Sequence, residues 1–177
     1  PPGLRHHTVV INIGPSTRQL LYEMMRHYRK LLPERQVLSP GWWTELWQNA
    51  RSDRKFVIVG TRHEPPDFLR EPEMASVVYR QGSSADDEAL LDRADVREAR
   101  RIVILADIER SEPDDETIRT LLTMVERLQD QSNGSEEKHR LIAEILDESN
   151  VPAARRAIAS ANRDVQAYIV PTERLLA

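Results

Sequence analysis

The chain has 177 residues, 40% hydrophobic and 31% charged, with a formal net charge of −4. That is long enough for one domain with a sizeable core, and the composition is that of a soluble globular protein with no reason to seek nucleic acid. No cysteine is present, which excludes disulfides, zinc–thiolate sites and a thiol nucleophile.

No apolar run approaches the length of a transmembrane helix, and no signal peptide is visible. The start, PPGLRHH, lacks an initiator Met, and the end, ERLLA, reads as a helix cut short. An excised piece of a longer chain is therefore expected.

TVVINIG, residues 8–14, is an apolar run broken by Asn12 and reads as the first strand. Gly14, Pro15, Ser16 and Thr17 make a turn and helix cap. The helix that follows carries Leu20, Leu21, Met24, Met25, Tyr28, Leu31 and Leu32 on an amphipathic pattern closed by Pro33. Residues 33–54 are irregular and hold all three tryptophans, Trp42, Trp43 and Trp47. Tryptophan serves both as core and as a docking surface, so both readings stand for this insert.

KFVIVGT, residues 55–61, is the second strand. RHEPPDFLREPEM is a surface connection with room for one helical turn. Val77, Val78 and Tyr79 begin a third strand that stops at Gly82. Ser83 and Ser84 before Asp86, Asp87 and Glu88 read as a helix start, with Leu90, Leu91 and Ala94 as its apolar face. After a short second helix, Ile102 to Ala106 is a continuous apolar run, suited to a central parallel strand covered on both faces.

Residues 116–129 form a helix with Ile118, Leu121, Leu122, Val125 and Leu128 on one face. LIAEIL, 141–146, is the fifth strand. VPAARRAIASA is a helix that tolerates Pro152 in its first turn, and VQAYIV, 165–170, is the last strand. The alternation predicts an α/β doubly wound, Rossmann-like parallel sheet of about six strands, with helices on both faces.

The ordered set from Tyr79 to Asp107 resembles the regulator-of-potassium-conductance (RCK) or Trk-type N-terminal domain. It reads strand, Gly82-Ser83, an acid-rich helix with Leu90-Leu91, then Ala94-x-Val96-x-x-Ala99, then an apolar strand ending Ala106-Asp107. HRLIAEILDESN resembles that family's fifth strand and turn, and VQAYIVPTERLLA its sixth strand leading into a crossover helix. The resemblance covers about four-fifths of the chain, excludes the tryptophan-bearing insert and makes residues 1–177 one domain, with 172–177 the start of the crossover helix. It implies a gating domain on the cytoplasmic face of the cell membrane. Its partners would be further copies of itself, as a dimer or ring, and the transmembrane pore domain, in the same or a partner chain, of a potassium or related ion channel. The helices at 116–129 and 152–161 are the expected subunit contacts. Two alternatives differ in class: a soluble regulatory subunit of a Trk-type uptake system, and an assembly scaffold that binds no ligand.

Many members of the family carry G-x-G-x-x-G after the first strand and an acid after the second. Here the turn keeps only Gly14, with Ser16 and Gln19 at the other glycine positions, and the second strand ends Gly60-Thr61-Arg62. That argues against NAD(H) in the usual pose. Gly14, Ser16, Thr17, Arg18 and Thr61 remain a candidate anion site at a helix start. The lost fingerprint points toward the calcium-activated and Castor/Pollux-type channels, and in the calcium-activated group the loop after the fourth strand is acidic. The matching residues are Asp107, Glu109, Glu112, Asp114 and Asp115, candidates for Ca²⁺ or another cation. Calcium takes roughly six to eight oxygens, which closely spaced carboxylates and carbonyls supply. The same acids also suit plain capping of the next helix. No hydrolase, P-loop or zincin motif occurs and the histidines are scattered, so no enzyme is expected.

Overall fold

The computed structural model describes residue 4 and residues 6–30, 56–83, 88–129, 139–159 and 165–171. The tryptophan-bearing insert, the polar loop at 131–138, the caps Ser84, Asp86 and Asp87, and the helix start at 172–177 lie outside the described residues.

Six strands form one sheet: β1 (Thr8–Ile11), β2 (Phe56–Gly60), β3 (Val77–Gln81), β4 (Arg101–Ile104), β5 (His139–Ile145) and β6 (Val165–Pro171). Their spatial order is β3-β2-β1-β4-β5-β6, and every pair is parallel. The doubly wound expectation holds, with the direction of winding reversing between β1 and β4. All four residues of β1 and all five of β2 are buried, as expected of strands covered on both faces. The edge strand β3 is only partly buried.

Side chains alternate between two cores, because successive residues of a strand point to opposite faces. Val10, Phe56, Ile58, Val103 and Leu105 meet Leu21 and Met25 of α1 (Thr17–Lys30) and Met74 from the β2–β3 connection. On the other face, Val9, Ile11, Val57, Val59, Ile102, Ile104, Leu141 and Ala143 meet α2 (Pro113–Gln129) and α3 (Val151–Ala159). Leu121, Met124, Val125 and Leu128 are α2's contribution to its own sheet, while Leu122 of the same expected stripe is exposed.

The β3–β4 crossover differs from the regular helix expected. Glu88–Arg93 is a π-helix, and Val96–Glu98 is a 3₁₀ turn. Ala94 N–H reaches back five residues to Ala89 C=O at 2.9 Å. That wider turn puts Ala89, Leu90 and Ala94 all onto the sheet with Val96 and Ala99. Asp95, in the left-handed region at φ 51°, separates the two pieces. The β2–β3 connection has two 3₁₀ turns, Asp67–Arg70 and Pro72–Met74. Helix α2 starts earlier than expected, with Pro113 in its first position, where a missing N–H costs nothing.

Candidate functional site

In an open parallel sheet, the crevice beyond the carboxyl ends of the strands, where the winding reverses, is where ligands sit. Here that place lies beyond β1 and β4. Asn12 ends β1 with φ 70°. Its backbone N–H donates to Val59 C=O at 2.9 Å, and its side-chain amide to Leu105 C=O at 3.0 Å. One buried residue thereby joins the ends of β2, β1 and β4.

The turn into α1 is closed on itself. Gly14 N–H donates to Thr17 Oγ1 at 2.8 Å, and Thr17 N–H donates back to Gly14 C=O at 3.1 Å. Thr17 is fully buried, so its hydroxyl serves the turn. A Cβ on Gly14 would meet only Ala106 O, at an ordinary 3.6 Å, so this glycine is not held by close approach. Ser16 is exposed and accepts Leu20 N–H through its backbone carbonyl.

Arg18 faces away from the crevice. Its Nε and Nη2 donate to both oxygens of Glu71, at 3.0 and 3.2 Å, and its guanidinium lies 5.5 Å from the Tyr22 ring centroid. The Tyr22 hydroxyl donates to Glu71 at 2.7 Å. Tyr22 first and Arg18 second hold the Glu71 carboxyl below its ordinary range, while Glu71 raises Arg18.

The crevice itself is lined by Asn12, Ile13, Gly60, Thr61, Arg62, Asp107 and Glu109 and encloses ≈ 20 Å³. That is about the space of one water. Gly60 explains why it is narrow. A Cβ there would stand 2.8 Å from Ile13 Cδ1 and 3.1 Å from the Tyr79 ring and hydroxyl, so Ile13 and Tyr79 occupy the room that glycine leaves. The Tyr79 hydroxyl donates to the carbonyls of Gly60 and Arg62, fixing the backbone just beyond β2. Burial raises its pKa. Across the mouth, Arg62 forms an ion pair with Glu109, whose hydrogen bond first and charge second raise the Arg62 pKa.

The acidic loop splits into three places. Asp107 and Glu109 line the crevice. The Asp107 carboxylate accepts Glu109 N–H at 3.1 Å and faces Arg110 Nε at 3.4 Å. Glu112 and Asp115 line a separate open groove of ≈ 560 Å³ along α2, among Arg110, Arg119 and Arg127. Asp114 is buried. It accepts Leu146 N–H at 2.8 Å, Asp147 N–H at 2.9 Å and the Asn150 amide at 2.9 Å, clamping α2 to the end of β5. Among the described residues no three acidic or histidine side chains stand together as a metal-holding group.

Sequence reasoning missed Ile13, Tyr79, Arg62 and Asn12 as crevice residues. Tyr79 was legible only as a strand aromatic. Its seat over Gly60 depends on β3 lying beside β2, which local patterning does not encode.

These features define a doubly wound, Rossmann-like α/β domain with a narrowed crevice at its switch point. No family model matches the chain, and no curated protein matches it. Among solved structures, a crystal structure of GsuK bound to ADP is similar, with a TM-score of 0.59 and 21% identity. The match covers 99% of this chain and 34% of the GsuK chain, so the present chain spans about a third of that protein's length. At that identity the likeness establishes the fold.

Proposed function

We propose that this chain is a ligand-sensing regulatory domain, without catalytic activity, that gates a potassium channel from the cytoplasmic face of the membrane. The observation that carries the reading is the sheet together with its crossover. Of the residues that resemble the RCK family, Ala94, Val96 and Ala99 are buried on the link from β3 to β4, and the apolar strand after them is β4. The described residues also have the doubly wound form that the resemblance implies. Its work is to bind a small ligand in the crevice and pass the binding energy to a pore through contacts between copies. A ligand does this only by preferring one arrangement over the other.

A nucleotide is the first ligand class to try, because GsuK was crystallised with ADP. The altered turn at Gly14 disfavours a dinucleotide, so ADP and ATP come before NAD(H). The test is thermal unfolding with ADP, ATP, NAD(H) and Ca²⁺, each against a chelated, ligand-free control. A ligand at about a hundred times its dissociation constant adds roughly 2.7 kcal/mol. A shift with any of them supports ligand sensing. No shift with all four overturns it in favour of an assembly scaffold. Apolar spans elsewhere in the full-length gene would mark a fused pore, and their absence a separate regulatory subunit.

A further inference from the structure

We infer that the Arg62–Glu109 ion pair is a gate on the crevice, and that an anionic group opens it by taking Arg62 from Glu109. The inference rests on the crevice being the ligand site proposed above. Arg62 comes from the chain just past β2, and Glu109 from the loop after β4, so the pair bridges the two lips of the switch point. Closed, the crevice has room for about one water. Behind the pair, Ile13 and Tyr79 fill the floor above Gly60. A ligand therefore gains room first at the lip.

The lip is also the part that yields most readily. The side chains of Arg62 and Glu109 are 61% and 63% exposed. An exposed pair of this kind holds by little, whereas a phosphoryl or carboxylate group offers the guanidinium two parallel charge-assisted hydrogen bonds. Asp107, the other carboxylate of the lining, is directed at Arg110 and at Glu109 N–H. Arg62 is thus the cation that an incoming anion meets in the crevice lining, and Glu109 is its built-in competitor. Once displaced, Glu109 swings on an anchored backbone, since its own N–H stays on Asp107. Tyr79 keeps the Arg62 carbonyl in place. The side chains move and the frame does not.

The test is titration calorimetry of the chain with ADP and, separately, with inorganic phosphate, for the wild type, Glu109→Gln and Arg62→Gln. Both positions are exposed, and melting of each unliganded variant checks that the fold is kept. Removing the competitor should tighten ADP binding about two- to fivefold, the worth of an exposed pair. Removing Arg62 should weaken it by about ten- to a hundredfold, the worth of charge-assisted hydrogen bonds. Phosphate following the same order would assign the effect to the anion itself, while ADP alone doing so would assign it to the nucleotide. ADP binding that is equal in all three proteins overturns the gate and leaves the regulatory reading standing. No binding of either anion to Glu109→Gln also overturns the gate. The regulatory reading falls with it only if Ca²⁺ and NAD(H) also leave the melting temperature unchanged.

Discussion

Asp114 shows how one side chain can look like a ligand in the sequence and act as a fastener in the fold. It sits in an acid run whose spacing suits a cation or a helix cap. The structure instead turns its carboxylate onto Leu146 N–H, Asp147 N–H and the Asn150 amide. Asp114→Ala would leave these donors without their acceptor, two of them on the backbone. It should cost about 2–4 kcal/mol, read as a lower urea midpoint, with no change in any calcium response. Glu71 gives a prediction in pH. Its folded pKa is depressed from the ordinary 4.5, chiefly by the Tyr22 hydroxyl and then by Arg18. A depressed carboxyl contributes stability above its unfolded pKa and loses it as pH falls through the folded value. The wild type should therefore weaken below pH 4.5 more steeply than Glu71→Gln, as urea midpoints across the acid range would record. Neither partnership was legible locally, because Glu71 is 53 residues from Arg18 and Asp114 is 32 residues from Leu146.

Strands and long helices were readable because each carries its own period. The runs at 8–11, 56–60 and 102–104 are buried strands, and α2 shows a clear stripe. Reading a stripe does not say how wide it is. Leu121 and Leu122 both fell on the expected apolar face, yet Leu121 is fully buried and Leu122 is 46% exposed. Leu121→Ala should cost about 2–5 kcal/mol, and Leu122→Ala about 0.5 kcal/mol or less, in matched thermal melts. The π-helix at Glu88–Arg93 escaped for a different reason. Ala89, Leu90 and Ala94 satisfy an ordinary helical pattern equally well. The wider turn is chosen by the sheet beneath them, where all three are buried.

At the scale of the whole molecule, the sheet divides the interior into two cores that share strands but not side chains. Leu21 belongs to one and Leu121 to the other. Alanine at each should give losses that add within about 0.5 kcal/mol, while the urea transition stays single with an unchanged slope. Two separated transitions would mean that the faces unfold independently. The doubly wound form followed from strand–helix alternation alone. The crevice's closed state did not, since it depends on which strands become neighbours. The Asn12 side chain reaches Leu105 across 93 residues of chain, and that interval also has a meaning in time. At roughly 5–20 residues per second of synthesis, β1 waits about 5–20 s for β4 to be made. For that interval a fully buried strand destined for the centre of the sheet has no neighbour on one side. The ribosome, rather than the finished fold, is where this chain is most exposed to wrong pairing.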